Sequence, residues 1–166
     1  FVPSELYIQS YDNNPLAIAH GQTISQPSLV ADMIGNMKLN EWDNSKYIRV
    51  YEIGTCTGYS TMWTCRTLSE LGIPYTMDSI EYVPELIELA NKNLDTLPRE
   101  FSKVDNSIDI LTGETISKTY SFTDKRNLNS QLRIYAGDGI VDYGKKFDRI
   151  ICTAGAHNIP IPFLTQ

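Results

Sequence analysis

The chain has 166 residues, 42% of them hydrophobic, which is enough to bury one core and too few to suggest two independent domains. Its net charge of -6 and pI near 4.8 argue against a nucleic-acid partner, because neutralising phosphates takes a concentrated basic face. No apolar run approaches the roughly 20 residues of a membrane helix and no signal pattern opens the chain, so a cytoplasmic enzyme without a membrane partner is expected.

In chain order, Gln26-Pro27-Ser28 starts a helix through Val30, Met33, Ile34 and Met37, with Ser25 or Ser28 placed to cap it. The run Tyr47 to Ile53 is rich in β-branched and aromatic residues and enters Gly54-Thr55-Cys56-Thr57-Gly58, which reads as a buried strand feeding a glycine turn. Tyr59 to Leu71 follows at near-helical spacing and stops at Gly72. Tyr75 to Ile80 is a second strand with Glu81 at its end, and Pro84 opens the next helix.

Residues 98–130 are polar and aperiodic and read as a long surface excursion with one weak hairpin around Thr112-Gly113. A strand from Leu132 to Tyr135 leads to Gly137-Asp138-Gly139, and another from Phe147 to Cys152 leads to Thr153-Ala154-Gly155. Alternating strands and helices predict a parallel sheet covered on both faces. Phe1-Val2-Pro3, without an initiator Met, and Gln166, just after an apolar strand and a turn where an α/β sheet normally continues, read as the cut ends of a single domain.

Cys56, Cys65 and Cys152 are odd in number and lack metal-ligand spacing, so free thiols are expected. His20 and His157 stand alone, which argues against zinc, and His20 reads as structural or solvent-facing.

In open α/β sheets ligands bind beyond the carboxyl ends of the strands, and here four such ends deliver Gly54 to Gly58, Glu81, Asp138 and Thr153 to one edge. Glycines let backbone approach a ligand closely. An acidic residue at the second strand end can accept the two hydroxyls of a ribose. No Gly-Lys-Ser/Thr follows the loop, so it is not a phosphate-binding Walker loop.

Three stretches carry a resemblance. Tyr11-Asp12-Asn13-Asn14-Pro15-Leu16 with Gly21-Gln22-Thr23-Ile24-Ser25-Gln26-Pro27, then Val50 to Tyr59, then Gly137-Asp138-Gly139 with Phe147 to Ala154, match in order and spacing the protein-L-isoaspartate (D-aspartate) O-methyltransferase family. Departures are Cys56, where the family usually has Gly, and Ala17-Ile18-Ala19 in place of Pro-Ile-Gly.

The resemblance implies a Rossmann-like class I methyltransferase fold, mostly parallel with helices on both faces. It also implies transfer of the methyl of S-adenosyl-L-methionine to the free carboxyl of L-isoaspartyl, and also D-aspartyl, residues in damaged proteins and peptides, initiating repair through a succinimide. Ser25 is the catalytic residue it implies, and the cofactor-binding set is Thr23, Ser25, Glu52, Gly54, Thr55, Gly58, Tyr59, Glu81, Tyr82, Gly137, Asp138, Gly139 and Thr153. A monomer is expected.

Chemically, such an acceptor carboxylate is already ionised at neutral pH, so the enzyme must orient it and exclude water rather than remove a proton. Competing readings are a methyltransferase for another carboxylate, a nicotinamide oxidoreductase, and a catalytically weak or dead module that binds isoaspartyl peptides.

Overall fold

The computed structural model describes residues 1–96, 101–104, 118–123, 129–155 and 158–165. A two-residue hairpin, β1 (Leu16–Ala17) against β2 (Thr23–Ile24), precedes helix α1 (Pro27–Asn36). The main sheet then begins: β3 (Ile48–Ile53), α2 (Tyr59–Glu70), β4 (Tyr75–Glu81), α3 (Pro84–Asp95), β5 (Phe101–Val104), β6 (Lys118–Thr123), β7 (Asn129–Ala136) and β8 (Arg149–Cys152), followed by the short α4 (Ile161–Thr165).

Six strands pair in the order β5-β6-β7-β4-β3-β8. β7, β4, β3 and β8 are mutually parallel, whereas β5-β6 and β6-β7 are antiparallel. The chain therefore steps outward from β3 to β4 to β7, then returns to pair β8 on the other side of β3. That reversal between β3 and β8 is the topological switch point at which open α/β sheets form their ligand crevice.

Alternation along the strands divides the sheet into two faces. Ile48 and Val50 of β3, Tyr75 and Met77 of β4, and Leu132 and Ile134 of β7 are fully buried in one cluster with Cys65 and Leu68 of α2 and Ile87 and Leu94 of α3; Met33 and Ile34 of α1 pack at its margin. Each such aliphatic side chain contributes about 1.5–3 kcal/mol on burial. The opposite face carries Tyr51, Ile53, Ile80 and Tyr135, covered by Tyr143, Phe147 and, from α4, Phe163. Helices thus sit on both faces, with the three longer ones on the first.

Residues 98–130 are not all surface excursion. They contribute β5, β6 and the start of β7, an antiparallel hairpin that widens the sheet on the β7 side. Tyr120 is buried and Lys118 pairs with Asp95, so part of this polar segment is anchored to α3. Its alternation was hidden by short strand length and by the serines and threonines that stand among its few apolar residues. The hairpin expected at Thr112-Gly113 and the residue His157 lie outside the described residues.

Neither Ser25 nor Ser28 caps α1. Gln26 occupies the cap position with extended φ/ψ and no side-chain cap bond, while its Nε2 donates to Ser28 Oγ at 3.2 Å. Pro27 supplies the first helical φ, and its missing N–H is one of the donors that a helix start leaves without an intrahelical partner.

Candidate active site

The loop after β3 is folded by its glycines. Gly54 holds φ 96° and Gly58, the residue before α2, φ 84°. A methyl on Gly54 would lie 2.6 Å from Thr153 Oγ1 and 3.1 Å from the Ala154 nitrogen, so the β3 and β8 ends approach as closely as backbone allows. Thr153 joins them by donating its hydroxyl to the Gly54 carbonyl at 2.6 Å and its N–H to that of Ile53 at 2.9 Å.

Between the two glycines, Cys56 adopts φ 53°, a left-handed conformation unusual for a residue with a Cβ. Its N–H donates to Glu81 Oε2 at 2.8 Å, and its Sγ lies 3.8 Å from the Thr23 carbonyl oxygen. Burial pushes the thiol up to about 11, so it stays neutral at physiological pH and is no nucleophile. All three cysteines are free.

Glu81 is fixed by two backbone amides, that of Cys56 on Oε2 and that of Val83 on Oε1 at 3.0 Å. Each oxygen keeps a further lone pair for a ligand hydroxyl. Asp138 accepts the Ile140 N–H at 3.0 Å, and Gly139 is buried against Ile53 and Ile80.

The β1-β2 hairpin brings the remaining hydroxyls. Gly21 turns the chain at φ 67°, Ile24 anchors β2 by burial, and Thr23 and Ser25 on either side of it reach the crevice. His20 sits at the hairpin turn, exposed and left-handed at φ 60°, away from the crevice lining.

One cleft of about 240 Å³ collects eleven of the thirteen residues expected from the sequence: Thr23, Ser25, Gly54, Thr55, Tyr59, Glu81, Tyr82, Gly137, Asp138, Gly139 and Thr153. Glu52 and Gly58 lie behind it. Glu52 is fully buried, its Oε2 accepting hydroxyls from Thr61 at 2.5 Å and Ser79 at 2.7 Å, with Thr55 in turn bonded to Ser79. Burial raises its carboxyl to about 7, against the opposing pull of the Thr61, Ser79 and Ser60 hydroxyls. It braces the loop from the helix side of the sheet.

Sequence reasoning placed Thr57 in the loop without naming it a contact, as it did not name Ser60, Ile140 or Phe163, all of which line the cleft. The first two continue the glycine loop and could have been included on contiguity; Phe163 comes from α4, whose five residues give no periodic signal. Among the described lining residues the only charged side chains are Glu81 and Asp138. No group of three or more potential metal ligands occurs among the described residues, and no helix there is long and apolar enough to cross a membrane.

Comparison with known proteins agrees with this geometry. A 34% identical relative, the protein-L-isoaspartate O-methyltransferase of Leptothrix cholodnii, aligns with 100% of this chain and 46% of its own length. The protein-L-isoaspartate O-methyltransferase 1 of Archaeoglobus fulgidus is 32% identical over 100% of this chain and 60% of its own. The chain thus spans about half of the first relative and three-fifths of the second.

A crystal structure of a Plasmodium falciparum protein assigned as a protein-L-isoaspartate O-methyltransferase, in complex with S-adenosyl-L-homocysteine, superposes with a TM-score of 0.66. It covers 99% of this chain and 72% of that one at 18% identity, and so supports the fold. The family model for protein-L-isoaspartate(D-aspartate) O-methyltransferase matches residues 1–166. With a switch-point crevice built by the glycine loop, Glu81, the Gly137 to Gly139 turn and the Ser25 arm, the chain belongs to the protein-L-isoaspartate(D-aspartate) O-methyltransferase family.

Proposed function

We propose that this chain carries the active site of an S-adenosyl-L-methionine-dependent methyltransferase acting on the free carboxyl of L-isoaspartyl residues in damaged proteins and peptides. The observation that carries the reading is the cleft's composition: the carboxylates Glu81 and Asp138, the Thr23 and Ser25 hydroxyls, and no cation among the described lining residues.

The residues fit the cofactor. Glu81, held by two amides, has lone pairs directed to neither and suits a ribose diol; Asp138 and Gly139 suit the adenine end; the start of α2, with Thr55 and Tyr59 at the cleft, suits the methionine end. When bound, the cofactor supplies an electrophilic methyl on a positively charged sulfur. Glu81 and Asp138 give the cleft a negative field that favours this cation over its neutral demethylated product, which assists release.

The acceptor carboxylate needs no general base, since its pKa near 4 leaves it ionised at neutral pH. Ser25, with Thr23 beside it, orients one carboxylate oxygen by a neutral hydroxyl. A lysine there would hold the charge so tightly that its loss during transfer would be opposed. Phe163, Ile140 and Ile53 keep the crevice wall apolar and help exclude water.

The test is transfer of labelled methyl from S-adenosyl-L-methionine to a peptide containing isoaspartate, with the aspartate peptide as control. Base-labile label on the isoaspartyl peptide alone is expected, and Ser25→Ala is expected to lower kcat roughly tenfold, the worth of one hydrogen bond to a charged group. Equal labelling of both peptides, or cofactor binding without transfer to either, would refute the assignment.

A further inference from the structure

We infer that Tyr51, Tyr143 and Lys145 are positioning residues that set the adenine end of the cleft from the opposite side of the turn. The inference rests on the cofactor reading above. The β7-β8 connection contains no helix, yet its first residues, Gly137 to Gly139, must hold a defined shape to serve as a binding surface.

Three contacts hold its shape, one within the connection and two to the sheet face that carries Tyr51 and Ile80. The Tyr143 hydroxyl donates to the Asp138 carbonyl at 2.7 Å, and the Tyr51 hydroxyl donates to the Gly139 carbonyl at 3.2 Å. Consecutive peptide groups are therefore fixed by two phenols rooted at different points. Tyr51 is itself locked by stacking on Phe147, with centroids 4.7 Å apart and planes 13° from parallel. Burial, the largest cause, pushes the Tyr51 phenol well above its usual value, so it remains a donor at any physiological pH.

The third anchor is ionic. Lys145 Nζ lies 3.2 Å from Oδ2 of Asp78, whose side chain is 2% exposed and also receives Arg133 through Nε at 2.6 Å and Nη2 at 2.9 Å. The same ammonium stands 5.4 Å from the Tyr135 ring centroid. Lys145 thus ties the far end of the connection to the middle of β4, two residues past Tyr143, and keeps that tyrosine over the turn.

The turn is also closely packed. A methyl on Gly139 would meet Ile53 at 2.4 Å, and one on Gly137 would meet the Tyr143 hydroxyl at 3.2 Å. The turn is wedged between β3-β4 side chains and the clasp, with Asp138 left facing the cleft.

The experiment combines Tyr143→Phe and Lys145→Met with amide hydrogen exchange over 137–141 and calorimetric titration of S-adenosyl-L-homocysteine. Exchange is expected to accelerate in both variants and cofactor affinity to fall roughly three- to tenfold, while the isoaspartyl-peptide KM at saturating cofactor stays as in the parent. Lys145→Arg should restore both readouts in large part.

Unchanged exchange would overturn the clasp itself. Faster exchange with unchanged affinity would overturn its role in cofactor binding. Asp138→Ala separates the underlying reading: if that substitution leaves the affinity of the parent chain intact, the adenine assignment fails, whereas the exchange data still report on the clasp.

Discussion

Gly54→Ala is expected to cost about 3 kcal/mol of stability and to weaken cofactor binding at least tenfold. Two effects add. An L-residue at φ 96° carries a conformational penalty of roughly 1–2 kcal/mol, and the new methyl would sit 2.6 Å from Thr153 Oγ1, an overpacking that typically costs about 1–3 kcal/mol. Thr153 cannot retreat without breaking its 2.6 Å bond to the Gly54 carbonyl, so the β3 and β8 ends would spread at the switch point.

For a chain of this size such a loss lowers the melting temperature by about 6–12 °C. Gly35→Ala is the internal control: it lies in α1 with nothing within 4 Å of the added carbon, and it should stabilise by about 0.5–1 kcal/mol. Thermal melts of the two variants with opposite signs would support the account; equal shifts would refute it.

Glu52→Gln is expected to change how stability depends on pH. The Glu52 carboxyl is raised from 4.5 to about 7 in the folded protein, chiefly by complete burial. Between those values the folded state holds a proton that the unfolded chain has released. Stability from this group is therefore fully present below about pH 4.5 and is lost as pH rises to about 7. The glutamine keeps an oxygen to accept from Thr61 and Ser79 but never carries the buried charge.

Denaturant midpoints of variant and parent, measured from pH 4.5 to 8, should show the difference moving in favour of Glu52→Gln by roughly 3 kcal/mol. Any pH-independent cost of the amide cancels from that change. A difference that stays flat with pH would mean that Glu52 is ionised in the fold throughout.

The parallel half of the sheet and its crevice were legible because local chemistry and global position coincide there. Val50 to Gly58 announces a buried strand and a turn that needs glycine, and Glu81 and Thr153 end strands that topology then brings to the same edge. What remained hidden has physical causes. Ser25 taken alone read as a helix cap, and only the motif around it marked it for the site; it is free to face the crevice because Gln26 takes the cap position.

β5 and β6 were lost in a polar stretch because strands of four and six residues with serine, lysine and threonine give too few apolar positions to reveal a period of two. Glu52 was read as a cofactor contact because it adjoins the loop, yet strand alternation turns it toward α2, one residue out of phase with Ile53 at the cleft. Tyr51, by the same alternation, became a donor to a turn 88 residues later in sequence, a partner no local pattern could name.

The order of strands also bears on how such a chain can change over time. The crevice uses the ends of β3, β4, β7 and β8, while the antiparallel hairpin is added beyond β7, at the margin opposite β8. Growth at that margin lengthens the sheet without altering any strand end that faces the crevice. Mutational drift in the hairpin is therefore buffered from the chemistry, and peptide tags or reporter domains belong there rather than beside β8, where a shift of one residue at Thr153 reaches the Gly54 carbonyl directly.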